Sequence, residues 1–281
     1  MAIVLRNTTI VTGDLGRTVL YDAALAVEGD RISATGPTSE IMARYPNAEI
    51  FEGKGKAVFP GFINCHAHMT ATLHRGITED TGFPTRLRFP ANVRALVSNE
   101  EAAVMATLAA IECIRTGNTT PVEIGSDIER YAEPLVQSGL RMVFAESAND
   151  GVTGPGWRPG EEVREFSASL REKGLEKMGA MFEKWHEKEG GRIICFTAAS
   201  LTEACSPEML HSVRELAEKY NVGYTIHLGQ SRLEVETMVR TRGVRPAHYL
   251  FIHDFLGPRM IAGHCRYLDS SEVAALGTTR T

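Results

Sequence analysis

"GFINCHAH", residues 61–68, decides how the rest of this chain is read. After Gly61 the run goes apolar, apolar, polar, cysteine, and then sets two histidines two positions apart. On a strand, alternate side chains point to the same face, so His66 and His68 project together. The stretch leading into them, Ala57 to Ile63, reads as buried. Two imidazoles on one face of a buried strand are hard to satisfy without a shared partner, because buried polar groups need hydrogen bonds or a ligand.

On either side of this pair the chain has a different grammar. Residues 1–57 hold short β-rich runs, "AIVLRNTTIVT", "ALAVEGDRISATG" and "AEIFEGKGKAVFP", separated by Gly, Asp and Asn turns. They predict a small antiparallel sheet with a turn at Glu28-Gly29-Asp30. From residue 58 to 281 strands alternate with helices. "SNEEAAVMATLAAIECIRTGN" is a helix, with Ser98 and Glu101 forming a capping box and Gly117 as its stop. "TTPVEIG", "LRMVFAES", "GRIICFTAAS", "YTIHLG" and "MIAGHC" read as strands. A polar helical region covers roughly Gly160–Glu189, with Gly174 as a weak point. Ser206 and Pro207 open the helix "SPEMLHSVRELAEKYNVG". Counting the strand at 61–68, six near-continuous apolar strands alternate with helices, which predicts a parallel sheet covered on its outside. A (β/α)₈ barrel and an open doubly wound sheet both fit this pattern.

Composition sets outer bounds. The chain has 281 residues, 43% of them hydrophobic and 23% charged, as in ordinary globular proteins. Its net charge of −5 is spread along the chain, with no basic stripe for nucleic acid or an anionic membrane. No apolar run approaches the ~20 residues of a membrane span. The start, MAIVLRNTTIVTGD, lacks the charged region and long apolar core of a secretory signal. Five cysteines, at 65, 113, 195, 205 and 265, form no CxxC pair, which argues against a disulfide framework. These features predict a cytoplasmic protein.

Four of the nine histidines fall in strands or at strand ends: His66, His68, His227 and His264. In a (β/α)₈ barrel the C-terminal strand ends converge on one mouth, so these four can meet although far apart in sequence. A lone strand histidine is more often a hydrogen-bonded core residue; a set of four at equivalent ends is read as a divalent metal site. A catalytic zinc takes three protein ligands and leaves a position for water, whose pKa it lowers. Imidazole also suits iron, nickel and copper. His186, His211, His248 and His253 read as ordinary surface or packing residues, and His74 as a loop residue near the mouth.

The segments "PGFINCHAH", "LHRGITED", "AAIECIRTGNTT", "ACSPEMLHSVRELAEKYNVGYTIHLGQS" and "IAGHCRYLD" together resemble the amidohydrolase superfamily. The resemblance is to the branch that holds S-adenosylhomocysteine and guanine deaminases and the triazine chlorohydrolases, and it runs the length of the chain. It implies a (β/α)₈ TIM-barrel beside a small β-sandwich, residues 1–57 belonging to the sandwich and 58–281 to the barrel. It implies one divalent metal, zinc first and iron as the alternative, that activates water to displace ammonia, an amine or chloride from a nitrogen heterocycle. By position, His66, His68 and His227 would be the metal ligands. His264 would hold the attacking water or polarise the leaving side, and Arg75 with the loop Thr78–Thr81 would shape the substrate pocket. A homo-oligomer is expected by analogy.

Two departures qualify what the resemblance implies. The family carries HxxE on the fifth strand, where the Glu shuttles a proton; this chain has Gln230 at that position. Glutamine donates and accepts hydrogen bonds but carries no proton at neutral pH, and general acid–base help is worth roughly 10²–10⁴-fold. Either Gln230 orients a polar substrate, or another acid such as Glu234 or Glu236 serves, or the shuttle is lost. The second departure is length. Only about six barrel strands precede the end, and no residue matches the family's eighth-strand Asp ligand, so the chain reads as C-terminally truncated with two open sheet edges. The alternatives to a C–N hydrolase are therefore an inactive homologue with residual metal binding, or a hydrolase of cyclic amides or amidines.

Overall fold

A computed structural model of the chain describes residues 1–76, 78, 81–84, 97–154 and 156–281. It divides into two compact units, Met1–Phe62 and Ile63–Thr281. The first unit contains β1 (Ala2–Val11), β2 (Val19–Glu28), β3 (Arg31–Pro37), β4 (Glu49–Glu52) and β5 (Ala57–Val58), with helix α1 (Thr38–Arg44) between β3 and β4. The strand order is β3-β2-β1-β4, and β5 also pairs with β1. The β1–β2 and β2–β3 ladders are antiparallel, whereas β4 and β5 run parallel to β1. The sheet is therefore mixed rather than antiparallel. The reason is connection length: Gly29 and Asp30 reverse the chain between Glu28 and its partner Arg31, but α1 lets it return to β1 in the same direction. Val4, Ala24, Ala26 and Ile41 form this unit's core. The expected run 48–60 is broken by a turn in which Lys56 N donates to Gly53 O at 2.9 Å and Gly53 N to Arg6 O at 2.8 Å.

The second unit is built on β6 (Phe62–Ala67), β7 (Asn118–Gly125), β8 (Met142–Ala148), β9 (Ile193–Leu201), β10 (Tyr224–Leu228) and β11 (Met260–His264). The strands lie in chain order, β6 to β11, and the β7–β8, β8–β9, β9–β10 and β10–β11 ladders are parallel. The helices between them are α2 (Asn99–Arg115), α3 (Ala132–Gln137), α4 (Ala168–Trp185), α5 (Pro207–Tyr220), α6 (Arg232–Arg242) and α7 (Pro246–Ile252); α8 (Ser270–Thr279) follows β11. The Ser98–Glu101 capping box of α2 is formed, and Ser206 caps α5. Both faces of the central strands are buried. On β8, Met142 and Phe144 pack in the large helix-side core, while Val143 and Ala145 join Val122, Ile124 and Ala198 on the inner face. That double burial is why these strands read as continuous apolar runs.

The sheet is strongly curved. Six flat strands would hold β6 and β11 roughly 24 Å apart at about 4.8 Å per step. Instead the ring of His66 on β6 lies 4.5 Å from the ring of His264 on β11. Inward-pointing side chains of the two outermost strands thus meet across the arc.

Three local expectations are corrected. The approach to the histidine pair is not buried: Phe62 and Ile63 are each 66% exposed, because among the described residues β6 has a strand neighbour on one side only. The region 160–189 is helical only over α4; Gly160 lies in a loop, and Glu187 and Glu189 take left-handed backbone conformations that end it. Gly174 is not a weak point but a contact. A Cβ there would stand 2.4 Å from the Cβ of Ala148 on β8. Gly174→Ala is therefore expected to lower stability by about 1–3 kcal/mol through overpacking, outweighing the roughly 1 kcal/mol that alanine gains in helix propensity. A lower urea midpoint in the variant would confirm it; an unchanged or raised midpoint would refute it.

Candidate metal centre

His66 lies on β6, His68 directly beyond its end, His227 on β10 and His264 at the end of β11. The fold brings all four together. The His66 ring stands edge-on to His68 and to His227, with centroids 4.9 Å away in each case. His68 and His227 are stacked at 5.4 Å and 4°. One ring nitrogen from each of His66, His68 and His227 lies within 4.8 Å of the others. The His66 ring fits only because β11 carries a glycine beside it: a Cβ on Gly263 would stand 2.8 Å from His66 Nδ1.

The hydrogen bonds fix the tautomers. His68 Nδ1 meets Ile124 O at 2.6 Å, and His227 Nδ1 meets Ser200 O at 2.6 Å. A carbonyl only accepts, so each Nδ1 donates its proton and each Nε2 of the neutral rings is left with a lone pair. Those two Nε2 atoms are 3.3 Å apart. Facing lone pairs repel unless a proton or a cation lies between them. A proton is disfavoured: burial, then the neighbouring imidazoles, push the pKa of His227 down to about 3 and of His66 to about 4. Both ring nitrogens of His66 are buried without a hydrogen-bond partner among the described residues. Nitrogens about 2.0–2.1 Å from a tetrahedral zinc stand roughly 3.3 Å from each other. Neutral rings, oriented through Nδ1 by main-chain carbonyls and converging through nitrogen lone pairs, suit a divalent metal.

Gln230 follows β10 and is 2% exposed. Its side-chain Nε2 is buried without a partner among the described residues. Its main chain is held from behind: Glu234 accepts from Gly229 N at 2.9 Å and from Gln230 N at 2.7 Å. Thr202 Oγ1 donates to Glu234 at 2.8 Å, and Glu203 accepts from Gly160 N at 2.5 Å. Burial, and after it the Glu234 charge, push Glu203 up to about 7. Burial likewise raises Glu234. The sequence offered Glu234 as a substitute acid; in the fold its carboxylate is engaged with the loop that carries Gln230.

His264 sits at the rim, its ring 5.4 Å from that of His227. Its φ of 73° and the 53° of Cys265 put two consecutive side-chain-bearing residues in the left-handed region, a costly arrangement. It is stabilised where Cys265 N donates to Leu228 O at 2.9 Å, returning the chain to the end of β10. Burial and the Arg266 charge lower the His264 pKa.

Arg75 makes two bonds to Glu112 on α2, at 2.6 and 2.9 Å. It also lines a cavity of about 440 Å³ together with Asn64, His68, Met69, Glu112 and Cys113. Of the loop Thr78–Thr81, Glu79 and Asp80 lie outside the described residues, as does the His74 side chain. His186 is not in the cluster; its Nδ1 accepts from Cys195 N at 3.1 Å. Sequence reading passed over two buried acids, Glu123 on β7 and Glu146 on β8, 1% and 3% exposed. A single carboxylate inside an apolar strand such as "PVEIG" or "VFAES" was the available signal.

Comparison with known proteins decides the family. The model described as Amidohydrolase family matches residues 57–279. The chain belongs to the amidohydrolase family. A second model, an imidazolonepropionase-like composite domain of bacteria, matches residues 23–48 of this amidohydrolase. Among curated relatives, a 5'-deoxyadenosine deaminase of Methanobrevibacter smithii is 29% identical over 89% of the chain and 54% of its own length. A 5-methylthioadenosine/S-adenosylhomocysteine deaminase of Syntrophobacter fumaroxidans is 30% identical over 98% of the chain and 60% of its own length. The amidohydrolase described here thus spans little more than half the length of these relatives. Of solved structures, an adenosine deaminase from Xanthomonas campestris with bound zinc aligns with a TM-score of 0.81 at 22% identity, over 99% of this chain and 61% of that one. Atrazine chlorohydrolase from Arthrobacter aurescens complexed with zinc aligns at 0.80 and 17%, over 99% and 64%. These likenesses establish a shared fold, and the six-strand arc is an incomplete (β/α)₈-type barrel. Among the described residues, no helix of this amidohydrolase is long and apolar enough to cross a membrane.

Proposed function

We propose that this chain carries the metal centre of a metal-dependent hydrolase that displaces an amine or chloride from a nitrogen heterocycle. One observation carries the reading: three imidazoles converge on a point where the Nε2 atoms of His68 and His227 face each other at 3.3 Å. His66, His68 and His227 would hold the metal, zinc in preference to iron because the zinc-bound structures named above share the fold. When bound there, such a metal would supply a water of lowered pKa, making hydroxide available near neutrality. The chain's own residues supply the rest. His264, neutral at pH 7, accepts a hydrogen bond or proton from the attacking water. Gln230 donates its amide N–H to a lone pair of the ring and holds the heterocycle in register. Arg75, on the wall that it shares with His68, belongs to the substrate pocket. In the net reaction a carbon–oxygen bond forms and the carbon–nitrogen or carbon–chlorine bond breaks. Residues 1–57 are read as one part of the accompanying β-sandwich. The deaminase relatives favour a small nucleoside-like heterocycle as substrate.

The test is a panel of aminated and chlorinated nitrogen heterocycles, adenine nucleosides among them, assayed with the zinc-loaded chain for ammonia, chloride and ring opening. Ammonia or chloride release is the expected result. Ring opening without either product would replace the reading with a cyclic-amide hydrolase. Metal binding with no turnover would leave an inactive homologue.

A further inference from the structure

His68 stands just past the end of β6, where ladder bonding no longer fixes the backbone. What holds it comes from two consecutive residues of β7. Ile124 contributes its carbonyl, which accepts from His68 Nδ1 at 2.6 Å. Glu123 contributes its side chain: Oε2 accepts from Met69 N at 2.6 Å, and Oε1 accepts from Tyr131 Oη at 2.8 Å. Ala71 N donates to His68 O at 2.9 Å and closes the turn that follows. The His68 ring and the next peptide are thus tied to adjacent residues of one strand.

Glu123 and Tyr131 are 1% and 5% exposed. A carboxylate so deeply buried is costly unless its lone pairs are engaged. Here one oxygen is engaged by the peptide N–H adjoining a histidine of the candidate centre, and a charge-assisted bond of this kind is roughly twice as strong as a neutral one. We infer that Glu123 is a positioning residue for His68: through Met69 N it fixes the turn at which the imidazole leaves the strand. The inference rests on reading the histidine triad as a metal centre. Partners of this class affect metal binding because an imidazole that swings out of line no longer presents its lone pair. Glu146 supplies an internal comparison. It is a second buried carboxylate that accepts from two main-chain amides, Asp127 N at 2.7 Å and Ile128 N at 2.9 Å. Neither of those amides adjoins a histidine of the cluster.

The experiment uses the full 281-residue chain. Zinc affinity is measured by competition with a chromophoric chelator, and cobalt(II) absorption reports ligand geometry. Glu123→Ala, which removes the acceptor of the Met69 N–H, is expected to weaken zinc binding roughly 10–100-fold and to alter the cobalt spectrum. Glu123→Asp, which keeps the charge but falls short of Met69, is expected to behave in the same way and covers the case in which the alanine variant does not fold. Glu146→Ala, and Tyr131→Phe, which leaves the Met69 bond in place, are expected to bind both metals as the unaltered chain does. Wild-type affinity and spectrum in Glu123→Ala or Glu123→Asp would overturn the inference, as would an equal loss in Glu146→Ala. If the unaltered chain itself binds no zinc, the metal reading falls and takes this one with it, a result distinct from binding that is indifferent to residue 123.

Discussion

His66→Ala is expected to remove stoichiometric metal from the purified chain, while His264→Ala keeps it. The unaltered protein should carry close to one zinc or iron per chain by mass spectrometry. The His66 variant should bind at least about 10²-fold more weakly, since loss of a direct ligand costs more than loss of an outer partner. The reason is local. Both His66 nitrogens are buried without a partner among the described residues, and the ring lies against His68, His227 and His264 at once. Removing it opens a gap between β6 and β11 and leaves two stacked imidazoles, too few donors for a stable structural or catalytic zinc. Apo-chain stability should move the other way or hardly at all, because an alanine there buries no unpaired ring nitrogen. Metal retained by His66→Ala would break the proposed ligand set, and metal lost from His264→Ala would move His264 into it.

Gln230→Glu is expected to raise the rate of amine displacement by roughly 10²–10⁴-fold, the usual worth of a placed general acid–base group. Gln230 is 2% exposed and its main chain is anchored by Glu234, so a carboxyl can occupy the same volume with little rearrangement. Glutamine offers a hydrogen bond; glutamate adds a proton that can travel from water to a ring nitrogen. Halide departs as an anion and needs that proton less, so the gain should be larger for an amine than for chloride. Steady-state kinetics on paired amino and chloro substrates would show it. Equal rates in both variants would mean that the proton already comes from elsewhere, with the Glu203–Glu234 pair the group to examine next.

How much of this was legible in the residues depends on the range of each interaction. Strand and helix alternation, the Ser98–Glu101 capping box and the Ser206 cap are local signals, and the fold contains them where the residues placed them. The candidate ligands were legible because period-2 spacing and strand ends are local properties too. The mixed first sheet was missed because the direction of a returning strand depends on a helix, α1, that the short run 38–44 hardly signals. The exposure of Phe62 and Ile63 depends on whether β6 has a neighbour on each side, which its own residues do not state.

By itself, the sequence determined the repeating strand–helix units, the imidazoles at their ends and the amide Gln230 three residues after His227. Only the tertiary structure decided that His68 and His227, 159 residues apart, face each other through Nε2 at 3.3 Å. It alone decided which carbonyls set their tautomers and which buried carboxylates hold the loops between. A residue's chemistry travels with its side chain. Its protonation state, orientation and partners are set by groups that arrive from elsewhere in the chain when the sheet curls.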